Sequence, residues 1–278
     1  MIRRIVTYVK NGIQYVKHGG VVHTSISQIQ YGHLFEGKKV LITGGGSGFG
    51  YAIAKKFLSE GAEVLITGRN EDKLKNAVNS LSNNRIHYLI WDLQNIAICS
   101  SKFNSALELI GGDFDMFINN AGVWKSFKPL EISEEEWDTI VDTNLKGLYF
   151  MMQQEASYLL SRNNGGKIIN ITSVEGIRTD FNPYSASKWG ANDLTRGLAK
   201  QLASKGVIIN AIAPGVALTN INQELKNMAK DNDYFPTHRT GRFTNVEEVA
   251  ELAAFLSSDA ANNIVGQIIA VDGGWTLI

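Results

Sequence analysis

The sequence predicts an open, doubly wound α/β sheet of about seven parallel strands over residues 39–278, preceded by a separate N-terminal extension over residues 1–38. Short β-branched runs alternate along the chain with segments of helical periodicity, which is typical of right-handed βαβ crossovers. Most of the apolar runs are continuous rather than alternating, which indicates strands covered on both faces. No linker, repeat or low-complexity tract divides residues 39–278. We therefore expect a single domain there.

The predicted elements follow one another in chain order. The strands are predicted at Lys39–Thr43, Glu63–Thr67, Ile86–Ile90, Phe114–Ile118, Lys167–Ile171, Val207–Ile212 and Gln267–Val271. Amphipathic segments between them predict helices, among them Gly50–Glu60, Glu134–Leu160, Tyr184–Ser204 and Asn245–Ser258.

The extension departs from this pattern. Two β-branched runs flank Asn11-Gly12, a dipeptide that a two-residue type I′ turn favours, so a β-hairpin is the preferred interpretation. A basic amphipathic helix is an alternative, because several apolar residues also fit helical spacing: Ile2, Ile5, Val6, Val9, Ile13 and Val16. A cleaved organelle presequence is another, since residues 1–35 hold four Lys or Arg and no acidic residue.

Composition argues against several classes of partner. Lys+Arg and Asp+Glu are equal at 27 each, so charge gives no reason to expect nucleic acid or an anionic membrane. No run approaches the roughly 18 apolar residues of a membrane span, and we find no signal-peptide pattern. The single Cys99 cannot form an internal disulfide, which fits a reducing compartment, and we expect a cytoplasmic protein. Histidines such as His18, His23 and His33 lack metal-ligand spacing, so no metal is expected.

A glycine-rich turn follows the first predicted strand and opens the first helix. The run Thr43–Gly50 reads T-G-G-G-S-G-F-G, and glycine allows a tight reversal, a close approach to a pyrophosphate and close packing of helix on sheet. The helix N-terminus offers unpaired N–H groups and a positive dipole end to phosphates. A dinucleotide site is expected here, with a merely tight turn as the alternative.

The end of the second predicted strand indicates which dinucleotide binds. Dinucleotide folds usually place Asp or Glu about 20 residues after the glycine turn to bind the ribose 2′-OH. This sequence has Arg69 there and no carboxylate. A guanidinium would pair with a 2′-phosphate and stack on adenine, which favours NADP(H) over NAD(H). A solvated loop arginine is the alternative.

Three residues indicate the chemistry. Tyr184 and Lys188 are four residues apart at the start of a predicted helix, so they project from one face. A tyrosine pKa near 10 is too high for ready acid–base work at neutral pH, and a cation one turn away would lower it. Ser173 follows a predicted strand at its carboxyl edge, where ligands of open α/β sheets bind, and could donate to a carbonyl oxygen.

These motifs resemble the short-chain dehydrogenase/reductase family, and residues 39–278 are similar to 3-oxoacyl-carrier-protein reductases in particular. Besides the glycine turn, Ser173 and Tyr184-x-x-x-Lys188, the resemblance rests on Asn119-Asn120-Ala121-Gly122, Pro214-Gly215 with Thr219, and Gly241-Arg242-Phe243 with Val271-Asp272-Gly273-Gly274-Trp275.

The resemblance implies four catalytic residues. Tyr184 would donate the proton to the developing alkoxide, Ser173 would hold the carbonyl oxygen, and Lys188 would lower the tyrosine pKa and bind the nicotinamide ribose. Asn144 would position a water in the proton relay, with a helix-kinking core residue as the alternative. The implied cofactor-binding residues are Gly44, Ser47, Gly48, Phe49, Gly50, Arg69, Asp92, Leu93, Asn119, Ala121, Gly122, Tyr184, Lys188, Pro214, Gly215, Val216 and Thr219.

The resulting expectation is reduction of a ketone by NADPH, with a 3-oxoacyl thioester or another mid-sized carbonyl as substrate. The loop between Ser173 and Tyr184 has only ten residues, fewer than in many carrier-protein reductases. The sequence therefore does not decide whether the substrate carries an acyl chain. Alternatives are an NAD-dependent secondary-alcohol dehydrogenase of sugar or steroid type and an inactive nucleotide-binding regulator, although regulators usually lose the tyrosine or lysine.

An apolar run predicts self-association. Leu148–Met152 are five consecutive apolar residues in a predicted helix, whereas a helix on one side of a sheet needs only an apolar stripe. Trp189 and Leu198 could extend this surface. We expect a homo-oligomer with closed symmetry, and the resemblance favours a tetramer over a dimer.

Overall fold

The computed structural model describes residues 9–10, 12–13, 15–17, 19–20, 32–125, 128, 130–217 and 234–277. Its centre is one seven-stranded sheet in the order β3-β2-β1-β4-β5-β6-β7, and all six pairings are parallel. The strands are β1 Lys39–Thr43, β2 Glu63–Gly68, β3 Ile86–Ile90, β4 Met116–Asn119, β5 Gly166–Ile171, β6 Val207–Pro214 and β7 Ile268–Val271. The predicted doubly wound sheet is confirmed.

Helices connect the strands. The α-helices are α1 Gly48–Ser59, α2 Glu71–Leu81, α3 Cys99–Leu109, α4 Glu134–Val141, α5 Leu148–Arg162, α6 Pro183–Leu202 and α7 Val246–Ser257. Short 3₁₀ turns lie at Ile96–Ile98, Val174–Gly176, Ala203–Lys205 and Asp259–Ala261. None of the helices among the described residues is long and apolar enough to cross a membrane.

Two predicted elements differ from the structure in their course. The helix predicted at Glu134–Leu160 is interrupted by a π-helical segment, Asp142–Gly147, between α4 and α5, a local widening that often marks functional sites. Strand β4 begins at Met116 instead of Phe114. The Phe114 N–H is bonded to the Tyr158 hydroxyl, 3.0 Å away, rather than to a neighbouring strand.

Both faces of the sheet are buried, which explains the continuous apolar runs. On β1, Val40 and Ile42 contribute to a layer that includes residues of α1 and α7, whereas Leu41 contributes to the layer on the opposite face. All three are fully buried. Because successive side chains of a strand point to opposite faces, a strand covered on both sides needs apolar residues at every position.

The predicted N-terminal β-hairpin is wrong for the residues that the structure describes. Residues 9–10, 12–13 and 15–17 are helical, as in the amphipathic alternative. The Gly20 N–H donates to Tyr15 O at 2.9 Å and the Gly19 N–H to Val16 O at 3.1 Å, with φ of +76° and +66° at the two glycines. This is a Schellman ending, so the glycine pair terminates a helix. The helical spacing prevailed over the turn preference of Asn-Gly, since Gly12 lies within the helical stretch.

The extension is attached to the domain at two places. The Tyr234 N–H donates to Gly20 O at 3.1 Å, and the Tyr15 and Tyr234 rings lie 6.4 Å apart. Further along, Phe35 is buried and its ring stacks on Phe57 of α1, with centroids 4.7 Å apart. The end of the extension is therefore part of the domain core.

Candidate active site

The sheet order brings the glycine turn and the loop after β4 together. Strands β2 and β3 lie on one side of β1, and β4 lies on the other. The order in which strands are added across the parallel sheet therefore changes direction between β1 and β4. Thr43 and Asn119, at the carboxyl ends of these strands, are in register. A crevice at such a switch point is where open α/β sheets bind ligands.

The glycine turn is fastened to the loop after β4. Thr43 Oγ1 accepts the backbone N–H groups of Asn120 and Ala121 at 3.1 and 3.0 Å, and Asn120 Nδ2 donates to Gly44 O at 2.9 Å. Gly44 has φ +66°, and a Cβ there would lie 2.9 Å from Ala121 Cα. This approach therefore requires glycine. Sequence reasoning did not assign the clamp made by Thr43 and Asn120.

The residues of this turn fit a dinucleotide phosphate. Ser47, the N-cap residue of α1, makes no side-chain capping bond, whereas Asn70 and Asn182 cap α2 and α6 with their side chains. The first N–H groups of α1 are therefore not taken by their own cap and can donate to an anion. Gly48, Phe49 and Gly50 form the first turn of this helix.

At the far end of the crevice, Arg69 follows β2 and is exposed. Its guanidinium makes no hydrogen bond or ion pair within the described part of the chain. Asp92 follows β3 and is partly buried, and one of its carboxylate oxygens accepts the Gln94 N–H at 3.1 Å. Both residues lie beyond the carboxyl ends of adjacent strands, where the sequence predicts the adenosine half of the cofactor.

Ser173 and Tyr184 meet beyond the end of β5. Ser173 is buried, and its Oγ accepts the Glu175 N–H at 3.2 Å, which leaves its O–H free to donate. Burial raises the pKa of Tyr184 to about 12 and outweighs the nearby Ser173 hydroxyl, which lowers it. The negative charge of Glu175 raises the pKa further. Tyr184 is therefore protonated at neutral pH in this structure.

Lys188 does not lower the tyrosine pKa here, contrary to the sequence expectation. Burial lowers the pKa of Lys188 to about 8, and its Nζ donates to Ile171 O at 3.2 Å. The Nζ lies 5.6 Å from the centre of the Tyr184 ring. The i, i+4 spacing brings the two residues together as predicted, but the ammonium donates to the end of β5.

Asn144 lies in the π-helical segment and is buried. Its side chain accepts the Val123 N–H and donates to Val123 O, both at 2.8 Å. A Cβ placed on Gly122 would lie 3.4 Å from Asn144 Oδ1 and 3.6 Å from Lys188 Nζ. The asparagine therefore ties the loop after β4 to the π-helical segment, and Gly122 of that loop lies beside both Asn144 and Lys188.

Family and structural comparisons agree with this geometry. The model of the short chain dehydrogenase family matches residues 38–230. The chain belongs to the short-chain dehydrogenase family. It is an NAD(P)-dependent oxidoreductase that acts on CH–OH and C=O groups of small molecules.

Named relatives span nearly the whole domain. The chain is 35% identical over 248 residues to the 3-oxoacyl-(acyl-carrier-protein) reductase of Thermotoga maritima, covering 86% of this chain and 98% of that protein. It is 34% identical over 247 residues to the gluconate 5-dehydrogenase of Gluconobacter oxydans, covering 87% and 95%. The crystal structure of the 3-ketoacyl-(acyl-carrier-protein) reductase from Brucella melitensis, complexed with NADH, matches with a TM-score of 0.79 at 29% identity, covering 87% and 99%.

In this short-chain dehydrogenase the end of β6 meets the turn after β7. A Cβ on Gly215 would lie 2.8 Å from Asp272 Cα and 2.9 Å from the His238 ring, so only glycine allows this approach. Pro214, Gly215 and Val216 are described, whereas Thr219, predicted to contact the nicotinamide amide, lies outside the described residues.

Sequence reasoning missed a buried polar chain beneath the site. Asn119 Nδ2 donates to Glu155 Oε2 at 2.9 Å and to Asn170 Oδ1 at 3.0 Å, and Asn170 Nδ2 donates to Thr195 Oγ1 at 2.9 Å. Glu155 is fully buried, and burial raises the pKa of its carboxyl to about 8 despite the bond from Asn119. An acidic residue inside the otherwise apolar stripe of α5 was the available signal.

Only part of the predicted self-association surface is exposed to solvent. Met151 and Met152 of the apolar run are buried in the core, whereas Tyr149 is 48% exposed and Trp189 of α6 is 47% exposed. The Tyr149 and Phe150 rings contact each other edge to face. The exposed aromatic residues on α5 and α6 are those that a partner would cover.

Proposed function

We propose that this short-chain dehydrogenase reduces a ketone with NADPH and that Tyr184 is the general acid. The observation that carries the proposal is the position of Tyr184 beside Ser173 beyond the end of β5, close enough for the serine hydroxyl to act on the tyrosine pKa, which burial raises to about 12. A reductase needs a protonated acid at the moment of hydride transfer, and this tyrosine supplies it across the physiological pH range.

Each hydroxyl has a distinct role in the reaction. Because Ser173 Oγ accepts the Glu175 N–H, its O–H donates to the ketone oxygen and orients it. Bound NADPH supplies the hydride to the carbonyl carbon. Tyr184 O–H transfers its proton to the oxygen as the C=O bond opens, so the products are a secondary alcohol, NADP⁺ and a phenolate that solvent protonates again.

Lys188 and Asn144 support this step. Lys188, buried beside the tyrosine ring, binds the nicotinamide ribose through its ammonium group. Asn144, adjacent to Lys188 through Gly122, positions the water that returns a proton to Tyr184.

We assign the cofactor to the crevice at the switch point. Arg69 pairs with the 2′-phosphate, which favours NADPH over NADH, and Asp92 with Leu93 contacts the adenine. The pyrophosphate lies on the N-terminus of α1, whose first N–H groups Ser47 leaves uncapped, and the loop from Asn119 to Gly122 lines the adenosine ribose. Pro214, Gly215 and Val216 border the nicotinamide, together with Thr219.

The substrate is a mid-sized ketone or a 3-oxoacyl thioester, as the similarity to the Thermotoga reductase supports. The similarity to a gluconate 5-dehydrogenase favours a second candidate, an NAD-dependent dehydrogenase of sugar-type secondary alcohols. Arg69 argues against this candidate. We further propose a cytoplasmic homo-oligomer, a tetramer more than a dimer, built on the exposed aromatic surface of α5 and α6.

A substrate screen that follows nicotinamide absorbance tests the proposal. Carbonyl compounds are offered with NADPH and with NADH, and alcohols with the oxidised cofactors, to the wild type and to Ser173→Ala. We expect NADPH oxidation by a ketone that Ser173→Ala slows by about 10²-fold or more, since it removes a donor to the developing oxyanion. Activity confined to NAD and sugar alcohols would favour the second candidate, and no turnover of any compound would refute the reaction.

A further inference from the structure

Arg178 lies between the two catalytic residues in sequence and stacks on an aromatic ring. It belongs to the loop that joins Ser173 to Tyr184, and its guanidinium lies over the Trp275 ring, 4.1 Å from the ring centre. The backbone is fixed as well, because Trp189 Nε1 donates to Arg178 O at 2.9 Å. A planar cation stacked on an indole ring has its plane set in advance.

The guanidinium is incompletely paired. Its Nη1 lies 3.5 Å from Glu175 Oε1, well beyond the roughly 2.7–2.9 Å of a good charge-assisted hydrogen bond. The other oxygen of Glu175 accepts the Ser185 hydroxyl at 2.9 Å, so the carboxylate is shared between the serine and the arginine. Within the described part of the chain no other acceptor bonds to the Arg178 N–H groups, and 36% of the side chain is exposed.

This cation is linked to both catalytic hydroxyls through Glu175. Its partner Glu175 holds Ser173 Oγ through its N–H and is close enough to Tyr184 for its charge to raise the tyrosine pKa. Trp275 follows the turn at Asp272, against which Gly215 packs. Arg178 therefore connects the loop that carries both catalytic hydroxyls to Trp275, beside the turn that packs against the end of β6.

We propose that Arg178 determines substrate specificity by binding a carboxylate of the substrate, so that the enzyme acts on oxo acids and the matching hydroxy acids. The planar fork of an arginine pairs with a carboxylate through two parallel N–H donors, and Trp275 keeps that fork in place. Glu175 Oε1 lies 3.5 Å from Arg178 Nη1 and leaves the guanidinium N–H groups without a close partner among the described residues. The substrate carboxylate accepts from these N–H groups. The inference rests on the proposed reaction at Ser173 and Tyr184.

Matched acid and ester pairs test this inference. The probes are 3-oxobutanoate, 4-oxopentanoate and 5-oxohexanoate, each beside its methyl ester, so that members of a pair differ by the charge and one methyl group. Affinity is measured by calorimetry on the NADPH complex of Tyr184→Phe, where the proton transfer is blocked, and kcat/KM is measured on the enzyme with Tyr184 intact. A well-formed charge-assisted pair corresponds to a preference of roughly tenfold to a hundredfold.

Three substitutions distinguish a substrate-binding role of Arg178 from a structural role. Arg178→Met keeps an unbranched side chain to pack on Trp275 and should reduce the acid-to-ester ratio to near one through KM. Arg178→Lys keeps the charge without the fork and should retain part of the preference. Arg196→Met, at an exposed position of α6, is the control and should keep the full ratio.

The outcomes are distinguishable. If the wild-type site binds no acid more tightly than its ester, or if Arg178→Met weakens acid and ester equally, the specificity role is overturned. If acids bind in an Arg178-dependent manner but neither nicotinamide cofactor is turned over, the binding site stands and the proposed reaction fails.

Discussion

Replacing Glu155 by glutamine tests whether the structure places a neutral acid beneath the cofactor crevice. Glu155 is fully buried, its Oε2 accepts from Asn119, and burial raises the pKa of its carboxyl from 4.5 to about 8. Glutamine retains an oxygen for Asn119 and removes the ionisable group. Its amide replaces an oxygen, Oε1, that has no hydrogen-bond partner among the described residues.

The sign and size follow from proton linkage. An acid whose pKa is higher in the folded state contributes its full stability below pH 4.5 and loses it as the pH rises toward 8, because the unfolded chain ionises first. Each pH unit in that interval costs about 1.4 kcal/mol. The slope is smaller close to each of the two pKa values, so wild type should lose about 3 kcal/mol of unfolding free energy between pH 5 and pH 8 on account of this group.

Urea unfolding of wild type and Glu155→Gln at pH 5, 7 and 8 measures the effect. We expect similar stabilities at pH 5 and a variant that is more stable by about 3 kcal/mol at pH 8. Glu108→Gln, at an exposed position of α3, is the matched control and should follow wild type at every pH. A Glu155→Gln variant whose stability falls with pH as steeply as that of wild type would show that Glu155 does not titrate in this range.

Three other predictions concern cofactor, pH and assembly. Arg69→Ala should weaken NADPH binding by roughly tenfold to a hundredfold in a fluorescence titration and leave NADH binding unchanged, because only NADPH carries the 2′-phosphate; equal affinities of wild type for both cofactors would contradict it. Because the pKa of Lys188 is lowered to about 8, the lysine loses its charge above that pH, and kcat/KM for reduction should fall as the pH rises through about 8. Lys188→Arg should remove this fall, and a profile that stays flat to higher pH would count against a role for the charge. Light scattering should give a mass above the 30.6 kDa of one chain and a smaller assembly for Trp189→Glu, whereas a monomeric wild type would rule the oligomer out.

The fold was predictable because its signals are local. A strand covered on both faces needs apolar residues along its length, as β1 has. A run of glycines between a strand and a helix indicates the tight turn of a dinucleotide-binding fold. The structure of the N-terminal extension was not predictable. Its β-branched residues and the Asn-Gly dipeptide favour a hairpin, whereas the spacing of its apolar residues favours a helix. The glycine pair at residues 19 and 20 decided for the helix, by ending it rather than linking strands.

The candidate site divides in the same way. Ser173, Tyr184 and Lys188 were predicted because each is close in sequence to a strand end or a helix start. The pairing of Arg178 with Trp275 joins residues far apart in the chain, and no short pattern predicts it. The pKa values of Tyr184 and Lys188 depend on burial, which the spacing of the two residues does not report, so the expected lowering of the tyrosine pKa was wrong for this structure.

Single-turnover NADPH oxidation in Tyr184→Phe shows whether Tyr184 donates the proton during hydride transfer. The substitution removes the transferable proton and keeps the ring. We expect the rate on the identified ketone to fall by about 10²–10⁴-fold, while the NADPH dissociation constant stays close to that of wild type. A variant that retains half of the wild-type rate would contradict the account.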